Sequence, residues 1–216
     1  MAGPAEELAE RVIRDETCLA EGAAWLAARD ARFGHALAQT GPVPLRLRPD
    51  GFGQLLGAIV SQQVSVASAR AIWARLEAAA MTTPAAILSV AEDDLRALGL
   101  SRQKAVYARA LAEAGIDYEA LRHAPTAEVV TRLVTVKGIG VWTAEIYAMF
   151  SLGRADVFAP GDLALQEGAR LLFGLPERPK DRALRRMAED WSPWRSVAAR
   201  ILWAYYHVHK QREGIA

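Results

Sequence analysis

The chain is 216 residues long, with 52% hydrophobic and 24% charged residues and a formal net charge of +1, so it can bury one good core or two small ones. No apolar run approaches the ~20 residues of a membrane span, and the acidic N-terminus lacks the basic-then-apolar layout of a signal peptide. The single cysteine, Cys18, excludes a disulfide framework and a cysteine-rich metal site. We therefore expect a globular protein without a membrane partner, located in the cytoplasm or, in a compartmented cell, in the nucleus.

Helical patterns fill the first half of the chain, with one clear interruption. Apolar spacing predicts helices over residues 6–14, 16–29, 31–39, 52–60 and 66–79. The interruption, residues 40–51, holds three prolines and two glycines and predicts an extended linker. Ser65 is placed to cap the helix that follows it.

The second half of the chain is also helical. Helices are predicted to begin at Thr83-Pro84 and to run over residues 91–98, 101–114, 126–134, 141–151, 162–173, 180–190 and 193–211. Proline favours the first helical position, and Gly99 and Gly115 are placed to end two of the helices. Because no segment alternates as a strand does and no internal repeat is present, we predict an all-α fold.

A Gly-x-Gly turn joins the predicted helices 126–134 and 141–151. Gly138 and Gly140 give the backbone freedom and leave N–H groups uncovered by side chains. The first amides and the positive dipole end of the second helix point back toward this turn, which makes it a candidate anion site. Lys137 adds a cation at its tip. A DNA phosphate is one anion that fits, but a tight turn in any helical protein has the same features.

Four separated segments resemble the helix-hairpin-helix superfamily of DNA glycosylases. The segment LVTVKGIGVWTAEIYAMF resembles the helix-hairpin-helix motif, and VFAPGDLALQ resembles the loop that carries the essential aspartate. Upstream, FGQLLGAIVSQQVSVASARAIWARL resembles the helix–turn–helix that closes the active-site cleft, and WSPWRSVAARILWAYY resembles the last helix. The resemblance spans residues 27–206 and is closest to the 3-methyladenine DNA glycosylase II branch, without the N-terminal β-rich domain of some bacterial members.

The resemblance implies two helical lobes with an active-site cleft between them. Residues 51–151 would form the central lobe and end in the hairpin, and residues 1–50 plus 152–216 would form the second lobe and carry the catalytic aspartate. Relatives that process oxidised pyrimidines or mispaired adenine usually hold an iron–sulfur cluster near the C-terminus. Since such a cluster needs about four cysteine ligands, we expect none here, and no cofactor of another kind.

Asp162 is the residue on which the implied chemistry depends. Breaking a C1′–N bond develops oxocarbenium-like charge on the sugar, and a carboxylate beside C1′ stabilises this charge and can orient a water molecule. An Asp after Pro-Gly is also a common helix N-cap, so the match to the family's loop assigns the catalytic role. Asp156, six residues earlier, suits a structural anchor. Bifunctional relatives place a lysine nucleophile where this chain has Trp142, so we expect a hydrolase without lyase activity.

Aromatic side chains form the expected base pocket. By resemblance, Trp142 and Trp203 line this pocket, where their faces would attract an electron-poor alkylated base. Tyr147 and Tyr206 are weaker candidates, and core packing alone would also explain Trp203. Ile146 stands where the family often has a second aromatic residue, which leaves glycosylases for oxidised or deaminated bases open as an alternative.

The resemblance assigns further DNA contacts. Gln63 aligns with the residue that wedges into the base stack when a base is flipped out, although a polar turn between helices needs no such role. The hairpin residues Lys137, Gly138 and Gly140 would contact the DNA backbone. The main-chain carbonyls with which the family's hairpin binds a structural monovalent cation, Na⁺ or K⁺, match those of Val134, Val136 and Ile139.

The distribution of charge agrees with a DNA partner. Residues 1–30 hold seven acids and three arginines, whereas residues 131–216 hold thirteen bases and nine acids. Solvated helix faces explain most of these charges, and a basic side facing DNA would explain the asymmetry. We expect a monomer that removes alkylated bases from double-stranded DNA: 3-methyladenine and 7-methylguanine, with 1-methyladenine and 3-methylcytosine as further candidates. A non-catalytic helix-hairpin-helix DNA-binding protein is the other alternative.

Overall fold

The computed structural model describes residues 10–213, in which thirteen α-helices and one 3₁₀ turn are present. In chain order these are α1 (Glu16–Arg29), α2 (Ala31–Thr40), α3 (Phe52–Ser61), α4 (Val66–Ala78), α5 (Pro84–Leu88), α6 (Glu92–Ala97), α7 (Arg102–Glu113), α8 (Tyr118–His123), α9 (Thr126–Val134), α10 (Val141–Phe150), α11 (Leu163–Phe173), α12 (Asp181–Met187), the 3₁₀ turn (Ala188–Trp191) and α13 (Arg195–Glu213). Within residues 10–213, β pairing is confined to one isolated bridge, so the all-α prediction is confirmed. None of the helices in this range has the length and apolarity needed to cross a bilayer.

The predicted helix at residues 6–14 is the clearest error. Residues 6–9 lie outside the described part of the chain, and residues 10–14 are extended. Val12 forms the isolated bridge with Arg154, and the Ile13 amide donates to the carbonyl of Gly153 at 2.7 Å. Backbone pairing with a distant segment therefore replaces the helical hydrogen bonds that the local pattern favours.

Helix α8 is missing from the predicted helices, which leave residues 115–125 without one. Its start is marked by Asp117, whose side chain accepts from the Ala120 amide at 2.9 Å. Arg122 at its end pairs with Asp50, with 2.6 Å between Nε and Oδ2. This ion pair attaches α8 to the segment that leads into α3.

The chain divides into two compact units. One comprises the residues up to Leu47 together with those from Gly153 onward, and the other comprises Arg48–Leu152. The lobes expected from the sequence, 51–151 and 1–50 plus 152–216, differ from these units by a few residues at each end. The cleft expected between the lobes, and the division of roles between them, stay predictions.

In the unit that contains α1, α2 and α11–α13, α11 packs closely on α13. A Cβ atom added to Gly168 of α11 would lie only 2.5 Å from the carbonyl oxygen of Leu202 in α13. The glycine therefore allows the two backbones to approach more closely than any other residue would. Trp203, the next residue in α13, is thereby held beside the first turn of α11, where the Asp162 side chain accepts its indole N–H.

In the unit Arg48–Leu152, α3 is the central apolar helix, with Leu55, Leu56 and Ile59 fully buried. Lys104 of α7 donates from Nζ to the carbonyl of Val60 at 2.8 Å, near the C-terminal end of α3. A cation is favoured at that end of a helix, and burial lowers the pKa of the Lys104 ammonium. Helix α3 is thus fixed both by apolar packing and by a buried amine.

The close approach of α11 to α13 makes Gly168 a position at which one added methyl group should be costly. We expect Gly168→Ala to lower the free energy of unfolding by about 2–3 kcal/mol, since a backbone carbonyl cannot move aside as a side chain can. Gly34 in α2 is the matched control because a Cβ there would meet only Ala27 at 3.7 Å. Gly34→Ala should be neutral or stabilise by about 0.5–1 kcal/mol. Urea denaturation of both variants tests this; equal stabilities would contradict the packing argument.

Candidate active site

The hairpin between α9 and α10 is anchored by two buried side chains. Val136 and Ile139 are 6% and 4% exposed, and the Ile139 amide donates to the Val136 carbonyl at 3.0 Å. The Val136 amide in turn donates to the carbonyl of Leu133 at the end of α9, at 3.1 Å. Lys137, between the two anchors, is exposed. The turn is therefore rigid at its base and presents a cation outward.

The two glycines of the hairpin have different physical roles. Gly138 has a φ of 98°, and a Cβ there would lie 2.4 Å from Cγ of Tyr107, whose ring packs against it. Gly140 has an ordinary φ of −90° and precedes the first residue of α10; a Cβ there would meet no atom within 4 Å. Gly138 is required by the fold, whereas Gly140 leaves the space before the first amides of α10 open.

The turn between α3 and α4 is tied to this hairpin. Gln62 donates from Nε2 to the carbonyl of Gly138 at 2.9 Å. Its neighbour Gln63 is exposed and has a φ of 56°, a left-handed conformation that costs a non-glycine residue about 1–2 kcal/mol. Ser65 then caps α4 by accepting from the Ser68 amide at 3.1 Å. Gln62 thus connects the hairpin to the turn on which Gln63 is displayed.

A cavity of about 340 Å³ lies between α3 and α10. Its wall on α10 is formed by Trp142, Ile146 and Phe150, and its wall on α3 includes Leu55 and Ala58. Trp142 is 46% exposed, so a large part of its ring faces away from the core. An apolar cavity with an exposed aromatic ring suits a flat, hydrophobic ligand.

Tyr147 also lines this cavity but is 3% exposed, and its hydroxyl has a structural partner. The Gly51 amide, just before the first residue of α3, donates to the Tyr147 hydroxyl at 2.9 Å. Burial raises the pKa of Tyr147 to about 12, so the phenol stays protonated. Tyr147 therefore supports the cavity wall and fixes the start of α3.

Asp162 is the N-cap of α11 and accepts three hydrogen bonds at one oxygen. Its Oδ1 receives the amides of Ala164 and Leu165 at 2.9 and 3.0 Å. The indole N–H of Trp203 donates to the same oxygen at 3.1 Å. These contacts fix the carboxylate at a helix N-terminus, where negative charge is favoured. Asp162 is part-buried, which adds to the strength of these interactions.

Asp156 is held differently. Arg195 forms a bidentate pair with it, at 2.6 and 2.8 Å, and the Ser192 hydroxyl donates to Oδ2 at 2.8 Å. Burial opposes ionisation, but the hydrogen bonds from Arg195 and Ser192 outweigh it, so that the pKa of Asp156 lies below its usual value. Both carboxylate oxygens are engaged by the same loop and helix, which is typical of a structural anchor.

The structure groups the predicted residues into two sets. Trp142 and Tyr147 line one cavity, whereas Trp203 contacts Asp162. No pattern in the sequence indicates the contacts made by Gln62 and Tyr107, since both reach Gly138 from elements distant in the chain. A glutamine beside the predicted wedge and a tyrosine on an apolar helix are ordinary in sequence, so only the fold identifies them.

Metal ligation by side chains has no candidate in the part of the chain that the structure describes. Among residues 10–213 there is no group of three or more His, Cys, Asp or Glu side chains that could hold a metal ion. The Val136 carbonyl accepts the Ile139 amide, while a carbonyl oxygen has a second lone pair. Binding of Na⁺ or K⁺ by the carbonyls of Val134, Val136 and Ile139 stays a prediction.

Comparison with known proteins places the chain in a family. The model of the HhH-GPD superfamily of base excision DNA repair proteins matches residues 56–193. This range includes the turn after α3, the hairpin, Asp162 and most of the residues that line the cavity, but not Arg48 or Leu55. The chain belongs to the HhH-GPD superfamily of base excision DNA repair proteins, which confirms the resemblance found in the sequence.

Named relatives indicate the branch. The chain is 32% identical, over 165 residues that cover 72% of each chain, to DNA-3-methyladenine glycosylase 1 of Schizosaccharomyces pombe. Among solved structures, a DNA-3-methyladenine glycosidase from Bacillus halodurans matches with a TM-score of 0.81 and 32% identity, covering 93% of this chain and 94% of that one. The S. pombe 3-methyladenine DNA glycosylase in complex with abasic DNA matches with a TM-score of 0.74 and 30% identity, covering 85% and 95%.

Because the two hairpin glycines have different surroundings, we expect their replacement by alanine to lower stability by different amounts. Gly138→Ala should lower the free energy of unfolding by about 2–4 kcal/mol, since it combines an unfavourable φ with a clash against the Tyr107 ring. Gly140→Ala should cost less than about 1 kcal/mol, the difference between glycine and alanine at an N-cap. Thermal and urea denaturation of the two variants provide the measurement, and a larger loss for Gly140→Ala would contradict these assignments.

Proposed function

We propose that this protein, an alkylbase DNA glycosylase by its family and relatives, is a monofunctional enzyme that flips a damaged base out of double-stranded DNA and hydrolyses its glycosidic bond with Asp162. The observation that carries the proposal is the carboxylate of Asp162, fixed by three donors at the N-terminus of α11. A carboxylate held in one orientation can stabilise charge that develops at a fixed point in the transition state without reorganising during the reaction.

One carboxylate is sufficient for a cationic leaving group. A base alkylated on a ring nitrogen carries a positive charge, and it departs as a neutral molecule with the electron pair of the C1′–N bond. No general acid has to protonate it. The sugar becomes oxocarbenium-like, Asp162 stabilises this charge, and a water molecule then adds to C1′ and loses a proton.

We propose that the enzyme has no lyase activity because of the residue at position 142. A lyase needs an amine nucleophile that attacks C1′, and this chain has Trp142 at the position where bifunctional relatives have lysine. Lys137 precedes both glycines of the hairpin and lies on its exposed tip. It is better placed to attract a phosphate than to attack a sugar.

The cavity between α3 and α10 is proposed as the base pocket. The exposed ring of Trp142 can stack on an electron-poor base, and Ile146 and Phe150 add apolar surface. The relatives are named for 3-methyladenine, and we propose this base and 7-methylguanine as substrates. Ile146 stands where the family often has a second aromatic residue, and we propose 1-methyladenine and 3-methylcytosine as further substrates.

Duplex DNA is the proposed partner, bound by a monomer. The open space before the amides of α10 at Gly140, with Lys137 on the hairpin tip, supports a backbone contact that does not depend on base sequence. Gln63, displayed on its strained turn, is proposed to enter the base stack in place of the flipped base. The S. pombe relative is in complex with abasic DNA.

The proposal is tested by Asp162→Asn. Asparagine can still cap α11 and accept the Trp203 N–H, so the fold and DNA binding should persist. Loss of the negative charge should reduce single-turnover base release by at least roughly 100-fold. Release of methylated bases from methylated duplex DNA is measured by mass spectrometry, and DNA affinity by fluorescence anisotropy.

Asp156→Asn is the matched control for this experiment. It removes the same charge six residues earlier and weakens the pair with Arg195, so it should lower stability but preserve the rate of base release by the folded protein. If Asp162→Asn turns over like the wild type, Asp162 has no catalytic role. If the two variants lose activity equally, the loss cannot be assigned to the charge of Asp162.

Trp203 is expected to act through Asp162. Trp203→Phe removes the N–H donor but keeps an aromatic ring, and should lower the single-turnover rate roughly tenfold, the worth of one hydrogen bond to a charged group. DNA affinity and thermal stability should change little. In the Asp162→Asn background the same substitution should have almost no further effect on the rate, because the charged partner is gone. Full additivity of the two losses would instead favour a separate role for Trp203 in the base pocket.

A further inference from the structure

Arg48 lies at the edge of the proposed base pocket and had no role in the sequence analysis. Its side chain lines the cavity between α3 and α10. Its amide donates to the carbonyl of Phe150 at 2.9 Å, which fixes the Arg48 backbone to the end of α10. The guanidinium carbon stands 5.7 Å from the centroid of the Phe150 ring. The positively charged side chain of Arg48 therefore lies beside the wall of the cavity that α10 forms.

The carboxylate nearest to Arg48 in the sequence, that of Asp50, does not neutralise the charge of Arg48. Asp50 is engaged by Arg122, at 2.6 Å to Nε and 3.0 Å to Nη2. The Arg48 side chain is exposed, so its field is screened by solvent when the cavity is empty. A bound base displaces that solvent from the cavity and strengthens the interaction between the guanidinium and any charge on the base.

Two physical effects then favour neutral bases over cationic ones. A base alkylated on a ring nitrogen is repelled by the like charge of Arg48, whose guanidinium also lies over the Phe150 ring and so competes with the base for a cation–π interaction with that ring. A neutral base behaves oppositely, since negative charge develops on it as the C1′–N bond breaks. A guanidinium that donates hydrogen bonds stabilises such a leaving group.

We propose that Arg48 is a specificity-determining residue, which limits the excision of cationic alkylated bases and promotes the excision of neutral damaged bases. This inference rests on the proposed function of the cavity as the base pocket. Trp142 would select bases by stacking, and Arg48 would in addition select them by their charge. Ile146 supports this inference, because an aliphatic side chain at that position offers a cationic base no second π face.

The experiment compares two duplex substrates that differ in the charge of the damaged base. One contains a single 7-methylguanine, which is cationic, and the other a single hypoxanthine, which is neutral. Single-turnover release of each base is measured under saturating enzyme, with spontaneous depurination subtracted, for wild type, Arg48→Met and Arg46→Met. Methionine keeps the length of the side chain without its charge. Arg46 is an exposed arginine two residues earlier that does not line the cavity, which makes it the matched control.

Arg48→Met should release 7-methylguanine faster and hypoxanthine more slowly, so that the ratio of the two rates rises roughly three- to tenfold. Arg46→Met should keep the wild-type ratio. Equal losses on both substrates in Arg48→Met, together with weaker DNA binding, would assign Arg48 to a phosphate and overturn the proposal. Unchanged rates on both would also overturn it. A wild-type protein that binds the duplex and releases neither base would instead contradict the proposed function.

Discussion

The orientation of the Asp162 carboxylate depends on a packing constraint that involves no catalytic residue. Gly168 permits α11 and α13 to approach so closely that a Cβ atom at this position would lie 2.5 Å from the Leu202 carbonyl oxygen. The residue after Leu202 is Trp203, whose indole N–H donates to Asp162. The two amide donors come from the first turn of α11 itself. A helix terminus alone would hold the carboxylate by a local cap. The helix pair adds a donor that is fixed from outside the helix.

Packing contacts also determine the structure of the hairpin, which is rigid at Gly138 and open at Gly140. The Tyr107 ring fills the space beside Gly138, and Gln62 binds the Gly138 carbonyl, so the first glycine is enclosed by the rest of its unit. Gly140 is left uncovered. Helix N-terminal amides are a suitable site for an anion, and the open space at Gly140 leaves the first amides of α10 accessible to one.

Periodicity in the sequence predicted the helices because most of them are long enough to show an apolar face. It failed where long-range pairing replaced local structure, as at Val12 with Arg154, and it missed the six-residue helix α8. Asp162 was found through its motif, yet its contact with Trp203 spans 41 residues and has no local signature. The bond from Gly51 to Tyr147 spans 96 residues and was inaccessible for the same reason. Residue types at a site are therefore predictable from motifs, whereas the contacts that orient them depend on helix packing.

The charge of the pocket is the property that sequence motifs describe least well. Trp142 and Ile146 belong to the motif and set the shape and stacking surface, but Arg48 comes from the segment before α3 and reaches the same cavity through its backbone bond to Phe150. Aromatic rings attract a cationic base and tolerate a neutral one, so they alone would favour alkylated bases. A guanidinium on the wall opposes that preference and assists the departure of a base that leaves with excess electron density. On the proposed function, the balance between these two contributions would set the preference between cationic and neutral damaged bases.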